Sequence, residues 1–468
     1  MAMTIRRPLI CAPLALVLAG CATVGPDFKQ PEVAVPERFT AAGVSWEKVE
    51  ADRPANSGEW WRVYQDNTLS GLIEDALKQN QNLEASAARL REAQALSRAA
   101  RTRVFPAIDL NSGWDRTKSR PRVSGFGDSQ INSSTTVDVT LSYELDMWGK
   151  VRRQIESAAA SAEAAALTYQ AAALSISGET ARTYFALRSV DAERAILRSA
   201  LELRGEALGL LTRQRDAGAI GDLDVLRAQT EVANARADLI ALEQDRGELL
   251  TSLALLTGRP APGFRLAALD ELPGAPQIPL DLPSSVVRRR PDIAAALMQV
   301  VAANADIGVA QAAFYPAITL GASAGFDSPG GGLLSAANQI WSLGPSLRLP
   351  LSGIGLLKAQ RDAAIARQEA AAAEYRQTVL TAFQEVESSL VAVAVLGELE
   401  GARAQALEAA TRTFTLSRER YAAGLVSFLE VVDADRVRLE ARRQASRTRG
   451  ARLAASVALA RALGGPWR

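Results

Sequence analysis

The stretch TVDVTLSYELD at residues 136–146 decides how the rest of the sequence is interpreted. Its apolar and polar residues alternate strictly, and this period of two is typical of a β-strand with two different faces. One face carries Val137, Val139, Leu141, Tyr143 and Leu145, and the other carries Asp138, Thr140, Ser142, Glu144 and Asp146. Such a strand fits a membrane β-barrel with lipid outside and water inside. The alternative is a soluble sandwich that packs one face on a core.

Three more segments show the same kind of alternation. Their apolar faces consist of Ile108, Leu110 and Trp114, then Ile318, Leu320, Ala322, Ala324 and Phe326, and then Trp341, Leu343, Leu347, Leu349 and Leu351. The Gly- and Ser-rich segments 121–134 and 328–337 are expected to be hairpin loops. Four strands cannot close a membrane barrel, because bacterial barrels have about eight or more and an open edge is not viable in lipid. Several chains must therefore share one barrel, and strand counting leaves open whether two or three do.

The sequence contains two copies of one unit. VFPAIDL at Val104 returns as FYPAITL at Phe314, and LALLTG at 253–258 returns as LARALG at 459–464. RDAGAIGDLDVLRAQ at 215–229 returns as YAAGLVSFLEVVDAD at 421–435, and the last two pairs share an offset of 206 residues. A constant offset over such a span indicates duplication. We assign the copies to residues 69–260 and 284–465, joined by a linker at 261–283 and followed by a short end at 466–468.

Each copy also predicts very long helices. No proline occurs between Pro121 and Pro260 or between Pro350 and Pro466, and these stretches are rich in Ala, Leu, Glu, Arg and Gln. Leucines recur every seven residues in places, which is the spacing of helices packed along their length. A helix of ~65 residues from Gly149 onward would measure ~100 Å at ~1.5 Å per residue.

The N-terminus has the layout of a secretory signal peptide. Arg6 and Arg7 precede an apolar segment at 9–19, and residues 18–21 read LAGC, which resembles the lipobox of bacterial lipoproteins. The resemblance implies cleavage after residue 20 and lipid on Cys21, whereas an ordinary signal peptide would make this cysteine coincidental. Ala22, in place of aspartate, favours the outer membrane. Residues 21–68 would form a lipid-anchored extended arm and equatorial region. No other segment is expected to reach the ~20 apolar residues of a membrane helix.

Composition argues against several classes of function. The chain of 468 residues has 53 basic and 52 acidic residues, no histidine and two cysteines. Histidine metal sites, Ser-His-Asp triads and zinc clusters are excluded, and no basic patch with interleaved aromatics suggests nucleic acid. We therefore expect no enzyme, no cofactor, no metal site and no nucleic-acid partner.

Four motifs give the sequence a family resemblance. They are VGPDFKQPEVAVPERF at 24–39, the segment from Trp60 to Ala93 that begins WWRVYQDNTLSGLIEDALKQNQNL, SSVVRRRPDIAAA at 284–296, and IGVAQAAFYPAITL at 307–320. In this order the chain resembles the outer membrane factors (TolC/OprM-like), the outer-membrane channels of tripartite efflux pumps, in their NodT-type lipoprotein branch. The resemblance extends from Cys21 almost to the C-terminus.

The resemblance implies a mixed α/β membrane protein that works as a homotrimer in the outer membrane. Three chains would form a twelve-stranded β-barrel, four strands each, continuous with a long periplasmic α-helical barrel. The protein would be the exit duct for small molecules such as drugs. Its partners would be outer-membrane lipid, a periplasmic adaptor (membrane fusion) protein and an inner-membrane transporter of the RND, MFS or ABC type. Alternatives are the duct of a type I protein secretion system, a structural spacer lipoprotein without a pore, and a periplasmic enzyme.

Several residues are candidates for gating and selectivity. Gly218 and Gly424 would form the turns at the helical tips. Asp433 and Glu430 lie three residues apart on one helix face, and a trimer would gather six such carboxylates into a cation-attracting ring. Here the alternative is an ordinary solvated acidic face, and Asp435 is expected to point elsewhere.

Two further candidate sets come from the tip and the barrel. By family resemblance, Tyr421 and Asp224 would be tip-closing contacts, although plain packing is an alternative for Tyr421. A basic residue that some relatives carry near this turn is Val426 here, so the full set of closing contacts is not expected. Asp138, Glu144 and Asp146 would face the barrel lumen.

Overall fold

The computed structural model describes residues 23–35, 59–119, 130–276, 286, 289–329 and 333–465. The signal peptide, Cys21, residues 36–58 of the equatorial region, parts of the predicted hairpin loops and linker, and the end at 466–468 lie outside these residues. The first copy contains α1 (Asn67–Gln79), α2 (Gln81–Thr102), β1 (Ala107–Ser119), β2 (Gln130–Leu145), α3 (Lys150–Asp216) and α4 (Asp222–Leu256). The second contains α5 (Pro291–Ala312), β3 (Ala317–Ser328), β4 (Gln339–Arg348), α6 (Ile354–Ala422) and α7 (Phe428–Ala462). A 3₁₀ turn, Trp60–Tyr64, precedes α1, and another, Ala336–Asn338, precedes β4.

The predicted long helices are confirmed. Helix α3 has 67 residues and α6 has 69, and each is followed by a 35-residue helix, α4 or α7. The absence of proline permits this length, because every residue of the helix interior can donate its backbone N–H. The same order of elements in both halves of the chain confirms the internal repeat.

The four strands form one antiparallel sheet in the order β1-β2-β3-β4. Its register places Ile108, Leu141, Ala322 and Leu343 in one row across the sheet. The adjacent row points to the opposite face and consists of Asp109, Thr140, Ser323 and Ser342, and the last two hydroxyls lie 2.8 Å apart. The apolar face is exposed in the protomer, with Leu110 and Trp341 among its members. The alternation predicted from residues 136–146 therefore extends over the whole sheet.

Helix α3 begins immediately after β2. Asp146 lies one residue beyond the strand, and its carboxylate accepts hydrogen bonds from the backbone N–H of Val151 (2.8 Å) and Arg152 (3.1 Å). A carboxylate in this position satisfies free N–H groups and complements the positive end of the helix dipole. The expectation that Asp146 continues the polar face of the strand is therefore wrong, since its side chain caps α3.

The chain divides into two compact units. One comprises the described residues within 1–32, 89–166 and 295–376 and contains the sheet, and the other comprises those within 33–88, 167–294 and 377–468. The core of the second unit packs the 3₁₀ turn and α1 against α3, α4 and α7 through Trp60, Leu69, Phe185, Leu253 and Leu453. Trp60 donates a hydrogen bond to Ser177 at 3.1 Å, and the hydroxyls of Tyr64 and Ser456 lie 2.8 Å apart. Burial raises the pKa of Tyr64 well above its ordinary value.

In the first unit, the N-terminal arm from Thr23 to Glu32 lies along the helices. A Cβ atom on Gly25 would come within 2.5 Å of the Cα of Gly308, so the two glycines allow the arm and α5 to approach closely. The carbonyl of Pro26 accepts hydrogen bonds from Asn304 (3.1 Å) and Arg153 (3.3 Å). The VGPDF motif therefore provides the contacts that fix the arm to α3 and α5.

The expectation that no further segment reaches the ~20 apolar residues of a membrane helix needs correction. By length and composition alone, α5 and a window within α6 are long and apolar enough to cross a membrane. Both are rich in alanine, which raises mean hydropathy without any long run of larger apolar residues. Core helices of soluble proteins pass the same test, so this property does not by itself identify a span.

Candidate functional site

The two helical hairpins end in matching turns. Gly218 and Gly424 have φ values of 74° and 71°, in the left-handed region that glycine adopts without strain. The N–H of Ala219 bonds to the carbonyl of Gln214 and that of Gly218 to Arg215, both at 2.8 Å, and Leu425 and Gly424 repeat the pattern at 2.9 Å. This is the Schellman arrangement, which satisfies the last carbonyls of a helix and reverses the chain.

The acidic pair follows the second turn. Glu430 and Asp433 lie in the first two turns of α7, where Val431, Val432 and Ala434 are buried. The side chain of Glu430 is partly exposed and accepts a hydrogen bond from Arg420 of α6 at 3.2 Å. Asp433 is exposed. The protomer thus presents one carboxylate that pairs with an arginine and one that faces solvent.

The two candidate tip-closing residues have different surroundings within the protomer. Tyr421 is half-buried and packs edge-to-face against Phe428, with ring centroids 5.7 Å apart. Asp224 lies in the first turn of α4, with Arg227 at 3.5 Å. No hydrogen bond joins Tyr421 to Asp224 within the described part of one protomer.

A buried ionic cluster between α3, α4 and α7 was missed by sequence reasoning. Arg204 of α3 contacts Asp435 of α7 at 2.9 Å and Glu231 of α4 at 3.1 Å, and all three side chains are about nine-tenths buried. Arg438 bonds to Asp435 at 2.7 Å, and Arg436 bonds to Glu231 at 2.6 Å. The hydrogen bond to Glu231 raises the pKa of Arg436 above its ordinary value. Asp435, expected to point elsewhere, therefore links the two hairpins.

This cluster borders a cavity of about 700 Å³ between the hairpins. Its aromatic lining comes from Phe414, Tyr421 and Phe428, and Arg204 and Asp435 contribute charge. The guanidinium of Arg438 lies 3.7 Å from the centroid of the Phe414 ring, which is a close cation–π contact. Within the described residues, no group of acidic or thiol side chains could hold a metal ion.

Farther along the helices, a second buried cluster surrounds Glu193. Its carboxylate accepts hydrogen bonds from Arg443 at 2.8 Å and Arg447 at 2.7 Å. Burial acts to raise the pKa of Glu193, but the hydrogen bonds and charges of Arg447 and Arg443 outweigh it and hold the pKa below its ordinary value. Nearby, Asp191 is fully buried and contacts Arg246 at 2.7 Å. Arginine–carboxylate contacts thus recur between α3, α4 and α7.

The acidic residues predicted in the barrel lumen do not form one set. Asp138 lies on the polar face of the sheet, with the amide nitrogen of Asn111 at 3.4 Å. Glu144 lies at the end of β2 and forms an ion pair with Lys150 at 2.9 Å. Asp146, as described above, caps α3. Of the three, Asp138 remains the lumen candidate farthest from the helices.

The chain thus contains a sheet with one exposed apolar face and two long helical hairpins with matching glycine turns. The sequence profile described as Outer membrane efflux protein matches residues 72–259 and again 282–465. The chain belongs to the outer membrane efflux protein family. The double match coincides with the internal repeat, and family membership places the protein in the outer membrane.

Curated relatives extend over nearly the full length of this family member. It is 34% identical over 446 residues to the pyoverdine export outer membrane protein OpmQ of Pseudomonas aeruginosa, with 92% of each chain covered. It is 31% identical to the toluene efflux pump outer membrane protein TtgC of Pseudomonas putida, over 98% of this chain and 95% of the relative.

Solved structures give the same result. The outer-membrane channel OprN matches with a TM-score of 0.87 at 31% identity, covering 95% of this chain and all of that one. The open state of the MtrE outer membrane channel of Neisseria gonorrhoeae matches with a TM-score of 0.82 at 29% identity, covering 95% and 98% of the two chains. The fold predicted from the sequence, that of an outer-membrane efflux channel, is confirmed.

Proposed function

We propose that three copies of this chain form one exit duct across the outer membrane. The observation that carries the proposal is the sheet. Strands β1 and β4 have no further strand partner among the described residues, and one face between them is apolar and exposed. In lipid, unpaired backbone groups along two edges are too costly, so the edges must pair with other copies. Three copies give the twelve strands that the family resemblance implies.

The helical hairpins would continue the duct into the periplasm. Each protomer supplies four long helices, α3, α4, α6 and α7, so a trimer has twelve. The duct would receive cargo from an inner-membrane transporter through a periplasmic adaptor protein. Small amphiphilic compounds are the expected cargo, in keeping with the pyoverdine and toluene export named for two relatives. The duct itself would bind no cofactor and carry out no catalytic step.

The periplasmic constriction would lie at Glu430 and Asp433. Both residues are in the first two turns of α7, next to the tip turn. The trimer axis would bring six carboxylates together, which favours cations and repels anions. Arg420 neutralises part of the charge of Glu430, so Asp433 would contribute more to selectivity. Tyr421 and Asp224 would make closing contacts between neighbouring protomers, while Cys21 would carry the lipid that anchors the arm.

The proposal can be tested in cells of the native host from which the gene has been deleted. We expect the deletion strain to accumulate a fluorescent amphiphilic dye, and we expect a plasmid copy of the gene to restore efflux. Removing both the proton gradient and ATP should abolish the restored efflux, because the duct has no energy source of its own. Equal dye accumulation with and without the gene would contradict the function in small-molecule efflux.

A further inference from the structure

The charged residues of the sheet are sorted by face. On the polar face the described strands carry Asp109, Asp115, Asp138, Glu144 and Asp327. The apolar face of the same strands carries no carboxylate. Its charged side chains, among the described strand residues, are Arg116 and Lys118, both of them on β1 and both exposed.

Both cations lie at the end of the apolar band. From α2 outward, the apolar face of β1 consists of Ile108, Leu110, Ser112 and Trp114, and then of Arg116 and Lys118. Successive residues on one face of a strand are ~7 Å apart. Trp114 is exposed, and tryptophan is enriched at the boundary between hydrocarbon and headgroups. In a membrane barrel the two cations would therefore lie at headgroup depth, just beyond the boundary that Trp114 would mark.

The direction of β1 decides which headgroups these are. The strand begins next to α2 and ends at residue 119, whereas β2 and β4 end next to the long helices α3 and α6. If the helices extend into the periplasm, as the proposed function requires, the far end of β1 lies at the outer surface of the outer membrane. The leaflet there is built from a glycolipid, lipid A, that carries phosphate groups.

We propose that Arg116 and Lys118 form a lipid-facing binding site for the phosphates of lipid A. The inference rests on the proposed exit duct, because it requires the sheet to be part of a barrel. Guanidinium and ammonium groups donate charge-assisted hydrogen bonds to phosphate oxygens, and the absence of carboxylates on this face removes competing anions. In a trimer, three such pairs surround the barrel and fix its depth in the membrane.

The test compares two glycolipids and two double variants. Purified full-length protein in zwitterionic detergent is titrated with lipid A that carries two phosphates, and with the same lipid after dephosphorylation. Bound lipid is counted by native mass spectrometry. Wild-type protein should bind the phosphorylated form about 30-fold more tightly, which is the effect of two surface cations on an anionic lipid. R116Q/K118Q should bind both forms alike. R348Q/K358Q removes the same charge from exposed residues of β4 and α6 and should behave as wild type.

The outcomes separate this site from the duct. Equal affinity of wild-type protein for the two glycolipids, or an unchanged preference in R116Q/K118Q, overturns the site. Displacement of the lipid by millimolar inorganic phosphate overturns the assignment of this site to a lipid, because free phosphate would then be an equally good ligand. Channel conductance is recorded from the same preparations. A conducting wild-type channel without lipid preference refutes only the site, whereas a well-folded trimer that never conducts refutes the duct. Conductance of R116Q/K118Q equal to that of wild type confirms that the variant folds.

Discussion

Replacement of Arg204 by methionine is expected to loosen the link between the two helical hairpins. The guanidinium of Arg204 contacts Asp435 and Glu231 at 2.9 and 3.1 Å, and its side chain is only 10% exposed. Breaking a buried ion pair by removing one partner costs roughly 3–5 kcal/mol, because the other charge remains buried. Each carboxylate here retains a second arginine, Arg438 or Arg436. We therefore expect a smaller loss, about 2–3 kcal/mol, at or just below the lower end of that range.

The loss should be local, so amide hydrogen exchange is the appropriate assay. Exchange of peptides from 203–215 and 428–440 should accelerate by about 30- to 150-fold, since about 1.4 kcal/mol corresponds to a factor of ten. Peptides from the sheet should not change. R198M is the matched control, because Arg198 lies on the same helix, is 52% exposed and is 3.7 Å from Glu243. An exposed pair contributes about 0–1 kcal/mol.

A double-mutant cycle separates the ion pair from simple packing. If Arg204 acts through Asp435, the double variant R204M/D435N should lose much less local stability than the two single variants lose in sum. Additive losses would show that the methylene groups of Arg204 matter more than its charge. Equal exchange in R204M and wild-type protein would refute the argument that this buried cluster holds the hairpins together.

Three further predictions concern the turns, acid stability and the anchor. G424A should lower the free energy of unfolding, measured by thermal unfolding, by about 1–2 kcal/mol because φ at Gly424 is positive. Gly401 is exposed inside α6, so G401A should raise the free energy of unfolding by up to about 1 kcal/mol. Equal effects of the two substitutions would contradict the turn geometry. Folding lowers the pKa of Glu193. The ionised carboxylate therefore stabilises the fold fully at pH values above the pKa that it has in the unfolded chain, and this stabilisation is lost as the pH falls through the pKa in the folded protein. E193Q should reduce the free energy of unfolding at pH 7 by roughly 1–2 kcal/mol. It should also weaken the loss of stability that accompanies a fall in pH below the ordinary pKa of 4.5, and an unchanged loss would exclude Glu193 as its cause. C21S should abolish acylation measured by mass spectrometry of the N-terminal peptide, and a lipidated C21S protein would exclude Cys21 as the site.

Much of the fold followed from patterns that lie close together in the sequence. The alternation at 136–146 predicted β2 because a strand has a period of two, and the glycines at 218 and 424 predicted turns because they occupy matching positions in the two copies of the repeat. Asp146 shows the limit of this reasoning. Alternation continues through it, but the strand ends at Leu145 because the free N–H groups of α3 compete for the carboxylate.

The buried ionic clusters could not be predicted in the same way. Arg204 and Asp435 are 231 residues apart, and the arginine-rich sequence of α7 has the composition of a solvated helix face. Only the packing of α3, α4 and α7 shows which of these side chains are buried. The gate candidates Glu430 and Asp433 were found because two acids three residues apart share a helix face. Their arrangement around a three-fold axis stays a prediction.

The most direct test of the exit duct is single-channel conductance of the purified trimer in planar bilayers. Wild-type protein should show a low conductance that prefers cations, and Glu430→Ala/Asp433→Ala should raise the conductance and abolish the preference. Glu408→Ala/Glu419→Ala, which removes two exposed acids of α6, should leave both unchanged. An unchanged conductance in the Glu430/Asp433 variant would place the constriction elsewhere, and well-folded wild-type trimers that do not conduct would contradict the exit duct itself.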